Sequence, residues 1–361
     1  MMAKLLLIFA VVSIGCGSDP TGPSNEVTEW RKTLGEGWGN SVQQTIDGGF
    51  IVAGENFDGS FRMFLLKTDG SGNEQWRKDF GEGWGRSVQQ TVDGGFVVTG
   101  HSRDGNVSLL KTDGQGNEQW RKTFGVGRSY SVQQTVDGGF VVTGMEGILT
   151  TSYDIFLLKT DGLGNEQWRK TFGDGRGNSV QQTVDGGFIV TGEYLDGSSY
   201  TFLLKIDGAG NEQWRKTLGL GWGNSVQQTV DGGFVVTGIN GIITDNYDMF
   251  LLKADGSGNE QWRKTFGVGR SYSVQQTVDG GFVVTGMDGI ITSSYDIFLL
   301  KTDGSGNEQW KKTFGLGWGR WVQQTVDGGF VVTGIDGDYD SYGLLLFKTN
   351  ELGYTYDLVD E

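Results

Sequence analysis

Short apolar runs recur along the chain at intervals of 44 to 48 residues, each bounded by Gly and Asp. The copy near residue 280 shows the unit. Ser273 to Thr277 is a short mixed run, and Asp279-Gly280-Gly281 is a hairpin turn signal. Phe282 to Thr285 is continuously apolar and β-branched, and Ile297 to Lys301 is a second apolar run. Asp303 to Asn307 turns the chain again, and Glu308 to Phe314 alternates apolar with polar or basic side chains. Two central strands without alternation suit burial on both faces, and an alternating last strand suits an edge. Four strands in so short a repeat predict one propeller blade.

The repeat count predicts the ring. Trp-Arg-Lys stands at Trp30, Trp76, Trp120, Trp168, Trp214 and Trp262, and Trp-Lys-Lys at Trp310. Seven copies of Val-Gln-Gln-Thr-(Val/Ile)-Asp-Gly-Gly-Phe lie between them. The expected fold is therefore all-β, a seven-bladed β-propeller of four-stranded antiparallel blades spanning residues 29–361. The chain opens on a fourth-strand sequence, Glu29 to Leu34, and its last apolar run, Leu344 to Lys348, is a third strand. The N-terminal strand is thus expected to complete the last blade and close the ring. After the irregular Asn350-Glu351-Leu352-Gly353, residues from Tyr354 onward read as a loose acidic tail or a competing strand.

Ahead of the repeats the pattern changes. Lys4 precedes an apolar run from Leu5 to Ile14, too short to span a bilayer comfortably, and residues 1–15 read as an export signal. Ser13-Ile14-Gly15-Cys16 resembles the lipobox of bacterial lipoproteins, which implies lipidation of Cys16, with Ser13 standing where Leu is usual. Cleavage by an ordinary signal peptidase is the alternative. Residues 16–28 carry the lipidated Cys and a polar tether with both prolines of the chain. The expected location is the cell envelope, lipid-anchored to membrane or cell surface, or secreted if Cys16 is not lipidated.

Composition narrows the chemistry. The 64 Gly against 2 Pro mark tight turns in a folded β protein, not a linker. A net charge of −15 repels phosphate backbones, so no nucleic-acid partner is expected, and membrane contact is expected through the N-terminal lipid only. One Cys forbids an intrachain disulfide, and one His, His101, argues against His-based metal sites and Ser–His or Cys–His chemistry. His101 is expected at the surface. No cofactor, metal or catalytic residue is assigned, and the chain is expected to be a monomer. Asp336, Asp338 and Asp340 have the alternate spacing of a calcium loop, but Phe347 stands where such a loop would need Glu; a solvated acidic loop is the expectation.

The repeated Tyr-Asp-Ile-Phe-Leu-Leu-Lys-Thr-Asp-Gly-x-Gly-Asn-x-x-Trp, Lys-Thr-Phe-Gly and Thr-x-Asp-Gly-Gly-Phe-Val-Val-Thr-Gly resemble the bacterial and archaeal SBBP-type propeller repeats over about residues 29–350. That resemblance implies an exported surface protein of propeller fold and carries no activity. The Asp-x-x-Gly-x-x-x-Trp portion is also similar to the docking motif of quinoprotein dehydrogenases, which are eight-bladed. Seven units, no Cys pair and no distinct acidic metal site speak against that class. In both families the repeated Trp is a packing anchor.

The copies differ on one face. The turns after the first and third strands are nearly invariant, whereas the segments between blades and after the second strand vary. Loops between blades are expected to present Trp38, Trp84, Arg128 with Tyr130, Arg176, Trp222, Arg270 with Tyr272, and Trp318 with Arg320 around the axis. Trp321 lies beside them. Such a ring either packs over its blades and plugs the axis, or stacks sugars and grips a partner protein. The Gln pairs, such as Gln43 and Gln44, read as hydrogen-bonding struts near the axis. The leading expectation is a non-enzymatic binding or scaffold protein engaging a glycan or a protein. A polysaccharide hydrolase or lyase using Asp58, Asp104 or Asp196 is the alternative.

Overall fold

The computed structural model describes residues 29–147, 153–241, 247–290, 294–337 and 342–355. Cys16, the export signal, the tether, Asp338, Asp340 and residues 356–361 lie outside the described residues. Those residues form 22 strands and no helix.

The apolar runs become strands where the pattern placed them. In the first blade β2 (Trp38–Gln44) pairs with β3 (Phe50–Phe57), and β3 with β4 (Phe61–Thr68). β4 then pairs with the first half of β5 (Glu74–Gln90), all antiparallel. The second half of β5 leaves this sheet and pairs with β6 (Phe96–Ser102) as the innermost strand of the next blade. Among the described residues the pairings separate into seven such four-stranded sheets. The seventh is completed by β1 (Trp30–Glu36), which pairs with β22 (Gly343–Thr349), Trp30 opposite Lys348. The expected closure by the N-terminal strand is observed.

One expectation is corrected. The segments between blades are not loops: six outermost strands each run on as one 17-residue strand into the next innermost strand, as β5 does, and at the seam β1 and β2 are parted only at Gly37. Gly at alternate positions supplies the positive φ values with which the backbone swings from one sheet to the next. Gly83, for example, has a φ of 150°.

The core lies between blades. Val97 and Leu109 of blade 2 pack on Val132, Phe140, Val142, Phe156 and Leu158 of blade 3. At the seam, Val331, Leu344 and Leu346 of blade 7 pack on Val42, Phe50, Val52 and Phe64 of blade 1. Each repeated Trp sits on the following blade. Trp30 meets Phe50 with ring centroids 5.7 Å apart and donates its indole N–H to Gly70 O at 3.1 Å. Its ring covers Gly72, where a Cβ would come within 2.6 Å of the indole. The basic residues of the outer strands reach across as well: Arg77 donates to Leu34 O, and Arg121 to Phe80 O.

The invariant face is tied by a charge in every blade. Lys111, its side chain only 5% exposed, pairs with Asp93 of the first turn at 2.9 Å and also donates to Gln119 and Thr112 O. The same pair forms at Lys67–Asp47, Lys159–Asp137, Lys205–Asp185, Lys253–Asp231, Lys301–Asp279 and Lys348–Asp327. Burial opposes ionisation of Asp93, yet the Thr91 hydroxyl and the Lys111 ammonium hold its carboxyl at about 2.

The irregular C-terminal segment repeats this plan. Asn350 accepts from the Leu352 and Tyr354 N–H groups, as Asp69 does from Ser71 and Asn73. Trp310 covers Gly353 as Trp30 covers Gly72. Tyr354 is therefore part of the last turn and not of a loose tail.

Candidate binding face at the axial mouth

Two layers of side chains surround the axis. The narrower layer is built from the Ser-Val-Gln positions of all seven blades and encloses a cavity of about 140 Å³. Its Gln side chains are struts, as expected. Gln89 Oε1 accepts from the Gln134 backbone N–H at 2.5 Å, and Gln134 Oε1 accepts from the Val92 N–H at 2.9 Å. The first relation passes round the ring through Gln43, Gln133, Gln181, Gln227, Gln275 and Gln323. Ser hydroxyls accept from the next blade's Val N–H in the same way, from Ser41 to Ser273. Blade 7 breaks that series, because Trp321 stands where the others carry Ser and lines the cavity instead.

Above this layer each innermost strand carries a bulge. Gly39 faces Gly54 and Ser41 faces Ala53, which leaves Asn40 as an extra residue. The equivalent extra residues are Arg86, Tyr130, Asn178, Asn224, Tyr272 and Arg320. A bulge re-aims its extra side chain, and here the re-aimed position differs from blade to blade. The three Asn residues serve as ties to the next blade: Asn40 to Gly85 O at 2.8 Å, Asn178 to Gly223 O, and Asn224 to Ser271 O. Arg86 was missed by sequence reasoning. The signal was present, since the second residue before each Val-Gln-Gln varies between Asn, Tyr and Arg while its neighbours are small, Trp321 excepted.

The expected Trp and Arg ring lies on the same side. Trp38, Trp84, Arg176, Trp222, Arg270 and Trp318 are half-buried, and Arg128 is exposed. Their contacts cross blades. Tyr342, Trp38, Phe61, Trp84 and His101 follow one another with centroid separations of 5.8, 5.4, 5.4 and 4.5 Å, a continuous aromatic run over blades 7, 1 and 2. An open cleft of about 970 Å³ lies beside it, lined by Trp38, Phe57, Phe61 and Tyr342. Arg176 pairs with Glu193 at 2.8 Å and lies over Trp222. Arg270 lies over Tyr247, Trp318 meets Tyr295, and Arg320 lies between Tyr272 and Trp318. Tyr272 donates to Met287 Sδ. Tyr130 is half-buried at its bulge.

His101 is a correction. It is 3% exposed, stacked flat on Trp84 rather than at the surface. Burial, with the charges of Arg86 and Arg128 added, holds its imidazole neutral with a pKa of about 3. Glu55 is likewise buried beneath the mouth. Asn40 donates to it at 2.5 Å, and Arg86 lies 3.4 Å away. Burial pushes its carboxyl up, against the pull of Arg86, Arg320 and Asn40.

The carboxylates of the enzymatic alternative lie apart. Asp58, Asp104 and Asp196 are exposed, each in the hairpin turn of a different blade. Asp336 is held by Arg31 at 2.7 Å and by the Thr33 hydroxyl, so it serves the seam. Among the described residues no three His, Cys, Asp or Glu side chains gather as a metal site.

A solved structure titled "Structure of Dos1 propeller" is similar over 83% of this chain and 74% of its own length, with a TM-score of 0.56 and 14% sequence identity. The fold is a β-propeller. At that identity the likeness is one of fold alone. No family model matches the chain, and no curated protein matches it.

Proposed function

We propose that this propeller is a non-enzymatic binding or scaffold protein of the cell envelope, engaging a glycan or a protein through its variable face. The observation that carries the reading is the contrast between faces. One face repeats the same Lys–Asp and Asp–Asn ties in blade after blade, whereas the other changes its bulge residue and its aromatic or Arg neighbour. Repeats that differ only at one surface keep their scaffold and vary what they present. A half-buried run of aromatic rings beside an open cleft suits flat, partly apolar ligands.

The SBBP-type resemblance, the export signal and the Cys16 anchor belong to the same proposal, with several acyl chains supplying stable attachment. The chain acts as a monomer tethered by residues 16–28. Replacing Cys16 by Ala should move the protein out of the membrane fraction; retention there would sink the anchor. For the binding role, the protein is screened against immobilised glycans and envelope proteins beside a variant altered only at the variable face. Retention of the wild type alone supports the reading, and equal retention of both contradicts it.

A further inference from the structure

Five arginines, at 86, 128, 176, 270 and 320, gather at the bulge layer of the mouth, in a chain whose net charge is −15, while Glu36, Glu55 and Asp336 line the open cleft beside the aromatic row. Glu55 and Glu193 partner two of them, Arg86 and Arg176. Arg320 makes no ion pair or hydrogen bond among the described residues, and its Nε is buried without a partner, as is that of Arg86. Arg320 comes from blade 7 and Arg86 from blade 2, so they flank Glu55 of blade 1, and the charges of both reach its carboxyl. Over the same blade runs the Trp38–Phe61–Trp84 row.

Resting on the binding role above, we propose that this sector of the mouth takes an acidic sugar, with the carboxylate on Arg320 and the sugar ring on the aromatic row. Two arginines and one glutamate leave one positive charge uncompensated, which suits a ligand bearing one carboxylate. A glutamate-rich peptide would bring several negative charges to a chain that already repels them. The apolar C–H face of a pyranose fits the flat aromatic faces, and a guanidinium is the group best shaped to hold a carboxylate by two parallel hydrogen bonds.

The test is calorimetric titration of the full protein with galacturonate and with its methyl ester, the same sugar without charge. The free acid should bind roughly tenfold or more tightly than the ester, the value of one charge-assisted contact. Added salt should weaken the acid and leave the ester unchanged. Arg320→Gln should make the two ligands equal while leaving the thermal midpoint near wild type. If that variant does not fold, the salt dependence of the wild type decides instead. Equal binding of acid and ester overturns the inference but leaves the broader glycan reading standing. Absence of acid binding also overturns it. Preference for a glutamate-rich peptide over both sugars overturns the sugar and turns the broader reading toward a protein ligand.

Discussion

Trp30 and Lys348 stand opposite each other across the seam where the two ends of the ring meet. The pairing makes the first described strand the outer edge of the last blade. Arg31 and Thr33 lock it further onto Asp336, and Trp30 packs forward onto blade 1. The seam is therefore held from both sides by residues far apart in sequence.

Deleting residues 29–35 should lower the thermal midpoint sharply, because it uncovers Leu344 and Leu346 and opens the ring. A milder probe is Trp30→Ala, expected to cost about 3–5 kcal/mol in denaturant unfolding, as for other buried aromatics. An unchanged midpoint in the deletion would show that the seam is not closed this way.

The Lys–Asp ties set an acid limit. Asp93, Asp137 and Asp231 are each held at about 2 in the folded protein, below the ordinary aspartate value of 3.8. The unfolded chain thus binds protons first as pH falls. The stabilisation is full above about pH 4 and drains away toward pH 2. Thermal midpoints measured from pH 5 to pH 2 should fall steeply below pH 4, and Asp93→Asn should flatten part of that fall.

His101 acts in a higher window. Its pKa is lowered from 6.5 to about 3, so neutral burial stabilises the fold fully above pH 6.5 and progressively less below it. Glu55, whose pKa is raised, works in the opposite direction as pH falls. Replacing His101 by Phe keeps a ring stacked on Trp84 and removes the titration. The midpoint of His101→Phe should vary less than that of wild type between pH 6.5 and pH 4.5; identical profiles would contradict a buried neutral imidazole.

The Gln ring offers a test of the axis. Gln89→Leu leaves the Gln134 N–H without its acceptor in a half-buried setting. Urea unfolding should show a loss of about 1–3 kcal/mol with an unchanged slope. Val92→Thr, at an exposed turn position, should be nearly neutral by the same measurement.

Repetition made the scaffold legible. The Asp-Gly-Gly turns, the twin apolar strands, the Trp anchors and the closing role of Glu29 to Leu34 each follow from local patterns copied seven times. What escaped depended on relations between strands, or on a signal that shows only when the copies are compared. Gly-x-Gly reads as a loop, yet it lets a strand pass between sheets, so the segment around Gly83 was misjudged. A bulge leaves no mark in one copy, which hid Arg86 and the ties made by Asn40, Asn178 and Asn224. His101 occurs once, and its burial depends on Trp84, a partner on the neighbouring strand. Of the ring residues, the half-buried tryptophans were found by type and spacing, while the buried Glu55 beneath them was visible only in three dimensions.

The most direct test of the account is a glycan array probed with the protein and with a variant carrying Trp38, Trp84, Trp222 and Trp318 all replaced by Ala. Circular dichroism and the thermal midpoint first establish that the variant is folded. The account predicts glycan binding by the wild type that disappears in the folded variant, placing the site at the axial mouth. Wild-type binding that survives in the variant would contradict it, and those four indoles would then be packing alone.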